Sequence, residues 1–519
     1  MRFFFRSCAW FVLCAPIGLS AQVDSVQLHY ASTITQADLR EHLSVLASDE
    51  YEGRETGAKG QKMAAKYIRE HFTAFGIPPV PDAEEIGLFN GYEQPFPLEL
   101  SKPGGLSLLV GGKPIGFMEE FFYMSEKLKE DYFTDSVIYG GYGDKPVERS
   151  LKGKTLLVLE DGAVGVTKTD RPPVDFFQQL TRKTAIAEAA GVRVLLVASP
   201  NARDMMTQYA HYITTPRMKL ADEKSKTVSE RIPVQTIIID RSTAERILRS
   251  GKLSWKKALK DADKPLRALP CPFGVHYVPN EQRLQGENVL GYVEGSDKKD
   301  ELVVITAHYD HIGKDDEDVY NGADDDGSGT VAVMEMAQAF AKAKSEGHGP
   351  RRSMLFMPVS GEEKGLLGSE WYSEHPVFPL ESTVADLNID MIGRVDTEHT
   401  DSPPYVYIIG SDRLSTDLHR INENANATYT KLVLDNTFNS EKDPNRFYYR
   451  SDHYNFAKHG IPVIFYFNGV HDDYHQPGDE VQKIRFDLLE QRARLVFHTA
   501  WELANREQRI VVDKPLPKE

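Results

Sequence analysis

Five stretches in the C-terminal half concentrate the side chains that bind metals and move protons. They are Ala307-His308-Tyr309-Asp310-His311, Asn321-Gly322-Ala323-Asp324-Asp325-Asp326-Gly327-Ser328-Gly329, Ser360-Gly361-Glu362-Glu363, Asp390, and His471-Asp472-Asp473-Tyr474-His475. Two histidines with several carboxylates and no thiolate make a nitrogen/oxygen donor set. Such a set suits zinc, with cobalt or manganese as substitutes. Five ligands hold two ions if one carboxylate bridges. Ions about 3.5–4 Å apart share a water, lower its pKa and polarise a carbonyl. A nearby carboxylate that binds no metal then serves as general base. Adjacent Glu362 and Glu363 can divide these tasks, one taking the proton and the other binding metal. Each stretch alone is weak: His-x-Asp recurs by chance, the Asp-rich loop reads equally as a solvated turn or loose calcium site, and Glu-Glu after a strand is usually a solvated loop. Their joint order along the chain gives the set its weight.

Four of these stretches follow short apolar runs at 302–306, 354–359, 384–389 and 463–467, with an earlier run at 289–293. Such runs read as buried strands. Residues 329–343, opened by the Asp-rich loop, and 365–375 read as intervening helices. Strands alternating with helices predict an α/β fold, a mixed, mostly parallel sheet covered on both faces. In such sheets ligands bind beyond the carboxyl ends of the strands, where these residues collect.

Upstream, 36–46 reads as a helix, Ser48 to Arg54 as a polar turn, and 57–75 as a second helix. Ala64, Ala65, Ile68 and Phe72 share one face of it, and Gly76 ends it. From about residue 95 the texture changes to β-like runs at 106–110, 136–139, 155–159, 194–197 and 236–239, with a helix over 183–190. This predicts a smaller β-rich domain with its own core. The expected organisation is a targeting segment over 1–21, a first part of the main domain over 22–95, an insert over 96–284, the site-bearing part over 285–510 and a tail over 511–519.

The 519 residues suit about two to four domains. The net charge of -16 argues against a general nucleic-acid or anionic-membrane binder, whose affinity comes from Lys and Arg. Arg2 and Arg6, the apolar run 8–17 and small residues near Ala21 read as an export signal. No other stretch is long and apolar enough to span a membrane. Cys8 and Cys14 would leave with that signal, so Cys271 stands alone without an internal disulfide. The expected location is periplasmic or secreted.

The motifs AHYDHIG, NGADDDGSG, SGEEKGLLGS, LNIDMIG, SDHYNFAKHGIPV and DDYHQPGDE, together with the early GRETGAKGQKMAAKYIREHF, resemble the co-catalytic zinc aminopeptidase family. That family also contains glutamate carboxypeptidase and relatives of transferrin receptor. GKTLLVLEDG and AAGVRVLLVAS resemble a protease-associated insert. The resemblance implies a zinc exopeptidase-like fold, a phosphorylase/hydrolase-like sandwich, acting on peptides. It implies two zinc ions, one held by His308 and Asp390 and the other by Glu363 and His475, with Asp325 bridging. Glu362 is then the general base, Asp310 holds the second ring nitrogen of His308, and Tyr474 steadies the oxyanion. It also implies a cis peptide bond between Asp325 and Asp326.

The resemblance points first to an aminopeptidase. The alternatives are a carboxypeptidase or dipeptidase on the same site, a glutaminyl cyclase, or a receptor-like binding protein with a dead site. The presence of all five ligands and the base weighs against the last. A carboxypeptidase would need Arg or Lys for the terminal carboxylate, and Arg394 and Arg450 lie near site motifs. Ser451-Asp452-His453 is expected to make structural hydrogen bonds, and residues 315–318 to form a solvated loop. His311, His375, His459 and His471 receive no role.

Overall fold

The computed structural model describes residues 23–144, 151–160, 176–221, 233–264 and 266–516. The expected targeting segment and the end of the tail lie outside the described residues. The chain divides into two compact units. One runs to Phe96 and resumes at Gln285; the other is Pro97–Leu284.

The first unit is built on a seven-stranded sheet. Its strands are β1 (Gly291–Val293), β2 (Lys298–His308), β3 (Arg352–Val359), β4 (Thr383–Ile389), β5 (Tyr405–Ile409), β6 (Val433–Asp435) and β7 (Val463–Phe467). Their order is β1-β3-β2-β4-β7-β5-β6. The central four, β3-β2-β4-β7, are parallel. β1 and β5 join antiparallel, so the sheet is mixed. Side chains alternate between two core layers, as the period of a strand requires. Val303, Ile305 and Ala307 enter one layer, and Leu302 and Val304 enter the other.

Helices α1 (Gln36–Leu46), α2 (Lys59–Ala74), α3 (Gly329–Ser345) and α4 (Phe486–Asn505) supply the first layer. Thr35 caps α1 by accepting from the Asp38 N–H, and Leu39, Leu43 and Leu46 form its buried stripe. α3 is buried on nearly every side. β5, β6 and α4 are elements not expected from sequence. The run at 289–293 is interrupted between Val289 and Gly291. β2 begins at Lys298, before the apolar run, because its charged start still pairs with β3 through a shifted register.

The second unit has its own core, centred on Leu157, Val194, Leu196, Ile237, Ile239, Ile247 and Phe273. Val137–Tyr139, Thr155–Leu159, Val194–Ser199 and Gln235–Asp240 run parallel. Parallel neighbours need crossover connections, and helix Phe176–Ala189 lies between two of them. The unit is therefore less purely β than its sequence texture suggests. A separate antiparallel sheet completes it.

Candidate metal centre

The carboxyl ends of the four parallel strands converge on one acidic cluster. β2 ends on His308, in register with Val359 at the end of β3. Gly361 then turns the chain at φ +83°, and a Cβ there would come within 3.0 Å of the Leu367 side chain. This turn presents Glu362 and Glu363. Asp390 follows β4, and the loop after β7 returns His475. His475 and Met391 hold left-handed backbone at φ 56° and 60°. Such non-glycine conformations cost about 1–3 kcal/mol and persist where the surroundings impose them.

The Asp-rich loop is buried and its three carboxylates have separate tasks. Asp326 accepts from the Gly329 and Met391 N–H groups at 2.9 Å and from the His308 N–H at 3.2 Å. Asp324 accepts from the Gly393 N–H at 2.6 Å and lies 3.2 Å from His471 Nε2. Asp479 receives the N–H groups of Asp324 and Asp325. Asp325 turns its carboxylate toward His308 and His475. The Asp325–Asp326 peptide bond is cis.

Asp325 Oδ1 lies 3.2 Å from His308 Nε2, and its Oδ2 lies 3.1 Å from His475 Nε2. Asp390 Oδ1 is 3.7 Å from His308 Nε2, and Glu363 Oε2 is 3.2 Å from His475 Nε2. Glu362 Oε2 is 3.9 Å from His308 Nε2. Two donor groups result. His308, Asp325 and Asp390 offer atoms within 4.8 Å of one another, and so do His311, Asp325 and Glu363. His475 joins the second group through its contacts with Asp325 and Glu363. The structure thus brings together every ligand expected from sequence, and adds His311.

The donor set fits a divalent metal. Ligand atoms about 2.0–2.2 Å from one ion must lie within roughly 4 Å of each other, and the histidine–carboxylate separations of 3.1–3.7 Å meet that condition. Asp325 Oδ2, Glu363 Oε1 and both His311 nitrogens are buried without a hydrogen bond, an arrangement that buried polar groups avoid unless something else meets them. Charge tells the same story. Burial pushes Glu362 well above the carboxylate range; His308 opposes this, while Glu363, Asp390 and Asp452 add to it. Burial and Asp325 raise Glu363, but His311 and His475 bring it down to about 2. Burial lowers His475, but Asp325 and Glu363 carry it up to about 10. A divalent cation among these groups would offset the burial and mutual repulsion of the carboxylates.

Metal removal should therefore destabilise the fold. An ion present at about 1,000 times its dissociation constant adds about 4 kcal/mol. A chelator is expected to lower the thermal midpoint by several degrees in calorimetry, and added zinc to restore it. An unchanged midpoint would argue that the cluster holds no metal.

Two expectations need revision. The His308 Nδ1 partner is the Asp310 carbonyl, at 3.1 Å, rather than its carboxylate, at 3.9 Å. The carboxylate is turned away because it accepts from the Thr56 hydroxyl at 2.6 Å and the Glu362 N–H at 3.3 Å. Asp310 thus positions both His308 and the Glu362 backbone. His471, given no role from sequence, supports Asp324. The Tyr474 ring stacks on His475 at 3.9 Å and lines a cavity with Asp325, Glu362 and Asp390. The Ser451 hydroxyl accepts from the Asn388 amide, the Asp452 carboxylate accepts from Ser369, and the His453 ring stacks on Phe465. Residues 315–318 are exposed.

Sequence reading missed Arg54. Its guanidinium is buried and donates to the carbonyls of Leu46, Tyr309, Asn321 and Gly322 at 2.7–2.9 Å. It ties the His308 turn to the Asp-rich loop.

An α/β sheet carrying a histidine–carboxylate cluster at its carboxyl edge defines the class, an α/β fold with a candidate metal centre. Residues 288–500 match the model of peptidase family M28. A probable leucine aminopeptidase of Trichophyton verrucosum is 32% identical over 216 residues, 40% of this chain and 55% of that protein. A probable glutamate carboxypeptidase of Arabidopsis thaliana is 30% identical over 176 residues, 33% of this chain and 24% of that protein. The chain thus spans about half or less of the length of these relatives. The solved aminopeptidase from Aneurinibacillus sp. strain AM-1 superposes with a TM-score of 0.52 at 17% identity, covering 95% of this chain and all of that one. That likeness is one of fold.

Proposed function

We propose that the protein is a zinc-dependent exopeptidase that removes N-terminal residues from peptides, using two zinc ions. The observation that carries this reading is Asp325, whose two oxygens face different histidines in two donor groups, with Glu362 beside them in neither. His308, Asp325 and Asp390 would hold one ion; Asp325, Glu363 and His475 would hold the other. When bound, the pair supplies Lewis acidity toward the scissile carbonyl and a water acidic enough to be deprotonated near neutral pH. Glu362 Oε2 accepts the proton of that water and returns it to the departing amine. Tyr474, stacked on the His475 ring and lining the same cavity, would serve the carbonyl oxygen.

The cavity beside Glu362 is walled by Met391, Phe447, Phe465, Phe467 and Val470. It favours an apolar first residue, in keeping with the leucine aminopeptidase name of one relative. Arg450 also lines this cavity, with its guanidinium 4.9 Å from the Phe447 ring centre. That placement supports a second reading, in which Arg450 takes a substrate carboxylate and the enzyme works from the C-terminus. Arg394 is less suited, being engaged with Asp473 at 2.9 Å.

Two peptides decide the polarity, one with a free N-terminus and amidated C-terminus, the other acetylated and with a free C-terminus. Mass spectrometry is expected to show stepwise shortening of the first alone. Shortening of the second alone would overturn the aminopeptidase reading in favour of Arg450. Export is part of the proposal and rests on Arg2, Arg6 and the apolar run 8–17. The protease-associated character of the Pro97–Leu284 unit rests on its resemblance in sequence.

A further inference from the structure

His311 belongs to the cluster, yet the function above makes no use of it. Its side chain is 0% exposed. Both ring nitrogens lack a hydrogen bond, a state that buried polar groups avoid unless another partner is supplied. Nδ1 lies 2.9 Å from Glu363 Oε1 and 3.8 Å from Asp325 Oδ2. At 2.9 Å the Glu363 oxygen is near enough to accept a hydrogen bond, yet it too is without one. The two atoms sit side by side without pointing at each other, as ligands converging on a third centre do. Glu363 is divided accordingly, Oε1 beside His311 and Oε2 beside His475. Room for the ring comes from Gly322, where a Cβ would stand 2.5 Å from His311 Cγ.

We propose that His311 is a fourth protein ligand, through Nδ1, at the metal position formed by Asp325, Glu363 and His475. The inference rests on the two-ion reading and makes its positions unequal. The His308 position has three protein donors, the number that leaves a coordination site open for substrate or water. The His311 position has four, the number of a closed, structural zinc site. The four-donor position should fill first and retain its ion longest. The three-donor position, nearest Glu362, should exchange readily and carry the chemistry.

The test is calorimetric titration of zinc into the metal-free full chain and into its His311→Gln and His311→Leu variants. Circular dichroism verifies that each is folded without metal; two replacements of different polarity guard against one failing to fold. The wild type is expected to bind two equivalents with separable affinities. Both variants should weaken the tighter equivalent by at least about tenfold, the scale on which even outer partners of a ligand act, and leave the weaker one unchanged. Cobalt loading should show the same order, with the visible spectrum of the first equivalent altered in the variants. Unchanged titrations would overturn the assignment, as would equal loss of both equivalents. Fewer than two equivalents in the wild type would instead overturn the two-ion reading beneath it.

Discussion

Glu362→Gln is expected to lower turnover by about 10²–10⁴-fold, the range a positioned acid–base group contributes, while leaving metal content unchanged. Glutamine keeps the size of the side chain and one carbonyl oxygen but cannot take a proton. Glu362 stands apart from the ligands in geometry. Its Oε2 is 3.9 Å from His308 Nε2, and it belongs to neither donor group. Its backbone is fixed by the Asp310 carboxylate at 3.3 Å, so the substitution leaves the turn in place. Its side chain is 12% exposed, which gives a water access from the cavity it lines. Adjacent Glu363 supplies the contrast. Glu363→Gln should lose metal together with activity, because both of its oxygens face histidines. Steady-state rates on the cleaved peptide, paired with metal analysis of the same samples, separate the two cases. Turnover of Glu362→Gln within about tenfold of wild type would move the base role elsewhere.

The candidate metal site was legible because strand ends leave a plain signature. An apolar run of five or six residues followed within a few positions by His, Asp or Glu marks both the strand and the edge at which the next polar side chain stands. For that reason His308, Glu362, Glu363 and Asp390 could be placed without coordinates. The Asp-rich loop was less legible. Three consecutive carboxylates look alike in sequence, and only the backbone shows that Asp324 and Asp326 hold N–H groups while Asp325 faces the histidines. His311 was passed over for a similar reason. A residue three after a strand end can point anywhere, and its direction is set by the Gly322 approach, eleven positions along the chain. β5 and β6 escaped notice because Tyr405–Ile409 and Val433–Asp435 are short and carry no site residue. The crossovers of the second unit were hidden in the same way, since an isolated apolar run does not say whether its neighbour is parallel.

Arg54 is the clearest case of a residue beyond sequence reading, and its removal is expected to have the largest effect on stability. It sits in a polar turn that would pass for solvated surface, yet it is 1% exposed. Burial lowers its pKa, and Asp310, Asp479, Asp325 and Asp326 act in the opposite sense. It is thus a resident cation beside the acidic cluster, independent of metal. Its four carbonyl partners belong to the end of α1, the turn after His308 and the entry to the Asp-rich loop. Arg54→Met fills similar volume but leaves those carbonyls and carboxylates uncompensated. Removing one partner from a buried charge set costs about 3–5 kcal/mol, and urea denaturation should register that loss. Arg54→Lys keeps the charge but replaces a planar fork by a point donor, so it should recover only part. If Arg54 acts through the loops it ties, the loss will be larger with zinc present than in chelator, because the variant forfeits metal binding as well. A loss equal in both conditions would confine Arg54 to the fold, and no measurable loss would mean that water replaces its four bonds.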